Sequence, residues 1–572
     1  MTGDALPPPL DLSGLAPAMP VLSETLMVVA IALPLALAFG ALVPAVRRVL
    51  PHLLVFVPLP ALIAALAVPR GLSVLVAPDP FRFTLALDAP GALLLGGAAL
   101  LWMTASAYAM AYLRKDPARP AFIVWWLLTM AGSFAVFLVA DVASFYLAYA
   151  LVSFSAYGLA AHDDTVEARR AGALYLALTV LGEALLIAAF VMLASGPADA
   201  NPQIRDAVAL LPASPWKTPI LLLILLGFTL KMGLFPLHVW MPLAHSVAPV
   251  PGSAALSGIV VKAGVIGLLR FLPEGVPLPG WGALLCGAGL FTAYYGVAVG
   301  LTQRHPKRAL AYSTVSQMGV VAAVIGAGIM NGTAGTFTIA AFYAANHMLL
   351  KGAMFLMVGV AMAASPRRAL AAAAVAALLG LSLAGLPLSG GAMAKYAIKL
   401  IVPDGGAGVL LTLSAAGSTL LMARYALLVA RSGTENQKTE GKEMQGRPPR
   451  GLVLPALALA VLALFAPFAL FAEVTGVPVS AAFTAAALVK GFWPVGLGLG
   501  VAALLAWKGP RVPEVPAGDI LHAAGFLSAT GRTIMEGTVA ADAVLRRWPV
   551  AALALLGVAV SLAATLTFAA MP

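Results

Sequence analysis

Apolar residues run along this chain in blocks of about twenty, the length a helix needs to cross the hydrocarbon core of a bilayer. Short polar or charged stretches separate the blocks. The hydropathy pattern predicts about sixteen helical spans, near 22–43, 52–69, 90–113, 121–140, 142–161, 170–194, 217–236, 251–272, 281–301, 308–329, 336–363, 369–388, 405–430, 452–472, 482–506 and 549–570. Alternating strands of the barrel type are not seen, so helices are the means by which the backbone satisfies its hydrogen bonds in lipid. The fold class is all-α integral membrane, with about 14–16 transmembrane helices.

Two of the spans carry breaks. The seventh runs into GFTLKMGLFPLHVWMPLAH, where Pro236 and Pro242 interrupt it just after Lys231. The twelfth runs into LSLAGLPLSGGAMAKYAIK, where Gly385, Pro387, Gly390 and Gly391 interrupt it just before Lys395. Irregular backbone at membrane depth must line a cavity or be covered by protein. Breaks at matching places in two halves point to a transporter built from inverted repeats. Those repeats would be spans four to eight and nine to thirteen.

Charge then orients the chain. Loops after odd-numbered spans hold 22 Lys/Arg and loops after even-numbered spans about 5, so the positive-inside rule puts odd loops in the cytoplasm and both termini on the other side. One missed span would scramble this alternation. The net charge of +11 is therefore a matter of topology and not of nucleic-acid binding. At 61% hydrophobic and 10% charged the chain is not a soluble globular protein. Its one cysteine, Cys286, excludes internal disulfides and cysteine-held iron–sulfur clusters. The start, MTGDALPPPL, has no basic region of the signal-peptide kind. Four segments follow: N-terminal helices over 1–120, a core over 121–430, a polar cytoplasmic linker over 431–450, and C-terminal helices over 451–572 with a surface or amphipathic segment at 510–548.

The candidate chemistry lies in charges inside the spans. Lys231, Lys262, Lys351, Lys395 and Lys399 fall within apolar stretches, and Glu183 is the acid that lies clearly within a span beside them. A charge at mid-bilayer costs about 2.5–3.5 kcal/mol on insertion scales, so several at unrelated places read as a pathway. Burial moves a lysine toward the range where it can load and release a proton, and a movable carboxylate can switch it. His347 suits the middle of such a relay, since one ring nitrogen accepts while the other donates, and Lys351 lies on the same helical face four residues on. The competing readings are snorkelling for the lysines and a packed, satisfied polar group for His347. Lys399, His238 and His245 are further possible members of the path. Asp141 reads as a helix cap, and Arg424 and Lys490 as charges near helix ends. No metal site follows from His238 and His245, seven residues apart without a third ligand. No phosphate loop and no flavin, haem or nicotinamide motif is present, so no cofactor is expected and the chain performs no redox step itself.

Several motifs carry a family resemblance. KMGLFPLHVWMPLAHSVAPVPGSAALSGIVVKAGVIGLLRF (231–271), QRHPKRALAYSTVSQMG (303–319) and NHMLLKGAMFLMVG (346–359) resemble the antiporter-like membrane subunits of respiratory complex I, Mrp-type cation/proton antiporters and group 4 membrane-bound hydrogenases. PLHVWMPLAH with KAGVIGLLRF resembles most the large membrane subunit of the hydrogenase-4/formate hydrogenlyase type. The resemblance covers roughly 120–400. It implies a fourteen-helix core with extra helices, moving protons through a central chain of lysines and histidine between two half-channels. By position, Lys231 matches the seventh-helix lysine, Lys262 the eighth-helix lysine, His347 and Lys351 the eleventh-helix pair, and Lys395 the twelfth-helix exit residue.

One position departs. Where the family usually has a fifth-helix glutamate, this chain has Ala150, and Glu183 in the next span stands where several relatives carry an acid. The resemblance implies a proton-translocating membrane subunit of a redox-driven complex, partnered by other membrane subunits and a redox arm in a bacterial inner (cytoplasmic) membrane. Three alternatives remain: a component of a Mrp-type antiporter, a transport-silent structural subunit, and the membrane part of an inorganic-carbon uptake complex.

Overall fold

The computed structural model describes residues 18–77, 82–197, 201–403, 405–440, 447–509, 513–516 and 518. The chain begins with α1 (Ala18–Gly40), α2 (Pro44–Leu53) and α3 (Leu59–Ala67), then a hairpin of β1 (Ser73–Ala77) and β2 (Phe83–Ala86). Next come α4 (Ala89–Tyr112), α5 (Arg119–Leu138), α6 (Val142–Ala160), α7 (Val166–Ala194) and the short α8 (Ile204–Leu210). The first broken span is α9 (Lys217–Met232) with α10 (Trp240–Val247). The span after it is α11 (Val250–Ala255), a π turn (Leu256–Val260) and α12 (Val261–Phe271). Then follow α13 (Pro279–Thr302), α14 (Pro306–Asn331) and α15 (Thr336–Met362). The second broken span is α16 (Pro366–Ala384) with α17 (Gly390–Ile401), followed by α18 (Gly406–Glu440), α19 (Arg450–Thr475) and α20 (Ala485–Lys508).

Among the described residues, thirteen helices are long and apolar enough to cross a membrane, which makes this an all-α, multi-pass membrane protein. Three departures from the sequence reading have physical causes. The span expected at 52–69 is the end of α2, a turn and the short α3, because Pro58 stands at the cap of α3 and separates the two helices. The span expected at 217–236 stops at Met232, and α17 adds a helix that hydropathy merges into the break. The linker expected from 431 starts inside a helix, since α18 continues to Glu440 and meets no proline before Pro448. The hairpin at 73–86 has strands too short to raise a pattern. The surface segment expected at 510–548 lies almost wholly outside the described residues, and the span at 549–570 lies wholly outside them.

Position in the bundle sorts the helices by polarity. Val250–Phe271, α14 and α15 are enclosed almost completely by other helices, while α1, α19 and α20 present much of their surface outward. The enclosed elements carry Lys262, Lys307, His347 and Lys351. Helices α13 and α14 approach closely through small residues. A Cβ on Gly289 would stand 2.5 Å from the Ala323 nitrogen, and one on Gly319 would meet the Gly289 carbonyl. Without water to drive association in lipid, such backbone proximity is what holds membrane helices together.

Two polar rivets lock the ends of helices on the even-loop face. Asp141 is fully buried and caps α6: Oδ1 accepts from the Ser144 amide at 2.8 Å and from Asn201 Nδ2 at 2.8 Å, while Oδ2 accepts from the Thr84 amide of β2 at 2.8 Å. Arg270, in the last turn of α12, donates to the carbonyls of Val136 (3.1 Å), Phe137 (2.7 Å) and Val139 (2.5 Å) at the end of α5, and pairs with Asp88, the cap of α4. The planar fork satisfies three orphan carbonyls at once. Arg270→Ala is expected to cost about 2–3 kcal/mol by stranding those carbonyls. Arg270→Lys should recover only part, as read by thermal unfolding of the purified protein in detergent.

Candidate functional site

The two helix breaks are built by left-handed caps. Helix α9 ends at Gly233 (φ +76°), whose amide donates to the Leu230 carbonyl while the Leu234 amide donates to the Thr229 carbonyl. Trp240 Nε1 returns from α10 to donate to the Leu230 carbonyl at 3.0 Å. Helix α16 ends at Gly385 (φ +95°), and Ser389 caps α17. The breaks thus fall where the sequence places them, with Pro236 between α9 and α10 and Pro387 between α16 and α17, but Pro242 lies inside α10 and Gly390 and Gly391 open α17, so these three expected breakers are helical.

Lys231 lies in the last turn of α9, buried, with its Nζ 5.5 Å from the centroid of the Tyr149 ring and 5.5 Å from that of Tyr175. These rings belong to α6 and α7. Glu183 of α7 is also buried, and it is the carboxylate whose charge Lys231 senses most. Ala150, at the position where the family resemblance leads one to expect an acid, is buried beside Tyr149 on α6. The amine therefore faces two π rings, while the carboxylate of the neighbouring helix acts on it by charge alone, its two oxygens being buried without a hydrogen-bond partner among the described residues.

Lys262 sits just after the π turn. Its Nζ donates to the Ser257 carbonyl inside that turn at 3.0 Å and lies 2.7 Å from Nδ1 of His347 on α15. The direction of the second bond depends on the imidazole tautomer. Lys351, one turn along α15, donates to the Leu310 carbonyl of α14 at 2.9 Å and to the Ser313 hydroxyl. Lys262, His347 and Lys351 are all wholly buried. His245 of α10 is buried too and senses the charges of Lys351, Lys307 and Lys262. His238 packs instead among the rings of Phe235, Tyr295 and Tyr312.

Lys307 reads in the sequence as a loop charge. It lies in the first turn of α14 and is buried, donating to the Ala248 carbonyl at the end of α10 at 2.6 Å. Its charge is felt by His245 on one side and by Asp163 on the other. Asp163 is at the surface beside His162, whose Nε2 lies in a 2.9 Å hydrogen bond with Asp116 Oδ2. Partial desolvation raises the Asp163 carboxyl above its usual value, against the pull of His162 and Lys307. Desolvation also acts on Asp116, but hydrogen bonds from His162 and the Ala118 amide outweigh it and leave that carboxyl below its usual value. These residues form a string of ionisable groups running inward from the odd-loop face. The HPKR spelling was the available signal, since a basic residue directly after an N-terminal proline can lie within the helix instead of the loop.

Lys395 and Lys399 are placed differently. Both are half-buried in the wall of a cavity of about 410 Å³ between α17, α18 and α20, which Lys490 also lines. A hydrogen-bonded chain of uncharged groups leads toward it from α15. The Tyr343 hydroxyl donates to Gln317 Oε1 (2.5 Å), Gln317 Nε2 donates to the Ser418 hydroxyl (3.0 Å), and that hydroxyl donates to the carbonyl of Ser414, a cavity-lining residue. Tyr343 is one turn from His347 on α15. The structure thus gathers the sequence candidates into three groups: Glu183 with Lys231, Lys262 with His347, Lys351 and His245, and Lys395 with Lys399. Among the described residues, no group of three or more His, Cys, Asp or Glu is placed to hold a metal ion.

Residues 139–421 match the family described as NADH:quinone oxidoreductase/Mrp antiporter, transmembrane. The chain belongs to the complex I/Mrp antiporter-like superfamily. Within this superfamily it is 29% identical over 301 residues to hydrogenase-4 component B of Escherichia coli, covering 49% of this chain and 44% of that one. It is 32% identical over 264 residues to a Na(+)/H(+) antiporter subunit of Bacillus subtilis, covering 44% and 33%. The chain thus spans less than half the length of these curated relatives. Its fold is similar to a chain of the Mrp complex from Dietzia sp. (TM-score 0.70, 23% identity, 97% of this chain and 63% of that one). It is also similar to a chain of an archaeal membrane-bound sulfane sulfur reductase (TM-score 0.64, 21% identity, 81% and 99%).

Lys395 and the second break are sterically coupled. A Cβ on Gly385 would stand 2.6 Å from Lys395 Cδ, and the left-handed φ penalises any side chain there. Gly385→Ala is expected to destabilise the protein by about 1–3 kcal/mol. Adding Lys395→Ala should return only the steric part, a non-additivity measurable in a double-mutant cycle of thermal unfolding.

Proposed function

We propose that this chain is a proton-translocating, antiporter-like membrane subunit of a redox-driven complex, working through Glu183, Lys231, Lys262, His347, Lys351 and Lys395. The observation that carries the reading is the 2.7 Å contact between Lys262 and His347, wholly inside the bundle, with Lys351 one turn away. Two amines and an imidazole in such proximity cannot all be charged without strong repulsion. The cluster therefore holds fewer protons than it has sites and can pass one along.

The string from Asp116, His162 and Asp163 through Lys307 and His245 supplies the proton from the odd-loop face, which the positive-inside rule makes cytoplasmic. Tyr343, Gln317, Ser418 and Ser414 lead toward Lys395 and the opposite face. Glu183 acts on Lys231 as the switchable carboxylate that α6 lacks at Ala150. The redox step belongs to partner chains, with the whole assembly in a bacterial inner membrane; the likeness to hydrogenase-4 component B of Escherichia coli supports that placement. The likeness to Mrp proteins favours a second reading, cation/proton exchange. An amine-lined path with one buried acid opposes sodium, which prefers several oxygen ligands.

In proteoliposomes holding the complete complex, Lys262→Ala should abolish proton movement while partner electron transfer persists at least in part. Undiminished proton movement would sink the relay. Glu183→Gln should slow transport strongly, and sodium-coupled flux surviving it unchanged would favour the exchange reading. Tyr175→Leu should weaken the hold on Lys231 by about 1–2 kcal/mol and slow transport roughly five- to thirtyfold, whereas Tyr175→Phe, which keeps the ring face, should act nearly as wild type.

A further inference from the structure

The cavity between α17, α18 and α20 is larger than a proton path needs. Its volume, about 410 Å³, is that of a small-molecule site. Three of its lining side chains are amines, Lys395, Lys399 and Lys490, and no acidic residue lines it among the described residues. Thr484, the N-cap of the long helix α20, also lines it, which adds the positive end of that helix. The remaining wall is mainly apolar, with Val320, Met393 and Leu411 among its residues.

Depth and side matter as much as charge. Lys399 is in the last turn of α17 and Lys490 in the second turn of α20, near the helix ends where lipid headgroups lie. Exposure is graded: Lys490 is exposed, and Lys399 and Lys395 are half-buried. Both helix ends face the even-loop side, which carries few basic residues, so these amines are not explained by topology. The outer face of α20 is lipid-like, with Val489 66% and Phe492 50% exposed.

We propose that this cavity binds an anionic phospholipid, its phosphodiester held by Lys399 and Lys490 under the N-terminus of α20 and its upper acyl chain against the apolar wall. An apolar wall beneath a ring of amines fits an amphiphile and not a free anion. The bound lipid would stand next to Lys395 and seal the end of the path against bulk water.

The test is native mass spectrometry of the full chain purified in detergent, titrated with dioleoyl phosphatidylglycerol, dioleoyl phosphatidylcholine or inorganic phosphate. Phosphatidylglycerol should be retained about thirtyfold better than phosphatidylcholine, as two amines near a headgroup predict. The double variant K399Q/K490Q should lose that preference, and Lys490→Arg should keep it, which separates lost charge from lost fold. Equal retention by K399Q/K490Q overturns the proposal, as does displacement of the lipid by millimolar phosphate, which would make this a free-anion site. Absence of any preference for phosphatidylglycerol overturns it too and leaves a water-filled vestibule. The readout needs no proton movement, so its failure is distinct from failure of the proposed relay.

Discussion

The buried cations on which the core of this protein depends, Lys231 apart, lean on the polypeptide backbone. Lys262 takes the carbonyl of Ser257, Lys351 that of Leu310, Lys307 that of Ala248, and Arg270 three carbonyls at the end of α5. A carboxylate partner would fix an amine in its charged form, because releasing the proton would strand a buried negative charge. A carbonyl dipole tolerates both forms. It compensates the ammonium and leaves no net charge behind when the amine is neutral. Amines held this way can change protonation inside lipid at lower cost than ion-paired ones.

The backbone must then offer carbonyls at depth, and a regular helix offers few. The π turn at Leu256–Val260 and the end of α10 at Ala248 supply them by interrupting the ladder. Lys231 is the exception that fits the same logic. Its partners Tyr149 and Tyr175 are also uncharged dipolar surfaces, and the carboxylate nearby belongs to a different helix from the usual one.

The sequence made some of this legible. Proline and glycine mark both helix breaks, because proline's fixed φ and glycine's access to positive φ act locally. Asp141 reads as a cap because a short acid between two apolar runs has little else to satisfy, and the structure adds its bonds to Thr84 and Asn201. The buried lysines stand out because lipid penalises them. The π turn was not legible, since LSGIV has no residue that demands it. Nor was the burial of Lys307, whose identity as helix or loop turns on a single residue at Pro306. The β-hairpin escaped because strands of five and four residues carry too little alternation to register. The joining of Lys395 to Lys490 depends on how α20 packs on α18, a tertiary fact that hydropathy does not encode.

Helix α18 runs unbroken from Gly406 to Glu440. At 1.5 Å per residue that is roughly 52 Å, well beyond the ~30 Å of hydrocarbon it must cross. Its final turns therefore stand clear of the bilayer as a stiff stalk, while Ser414 and Ser418 lower on the same rod touch the Lys395 cavity and Gln317. A body gripping the stalk would hold a lever whose short arm reaches the middle of the membrane.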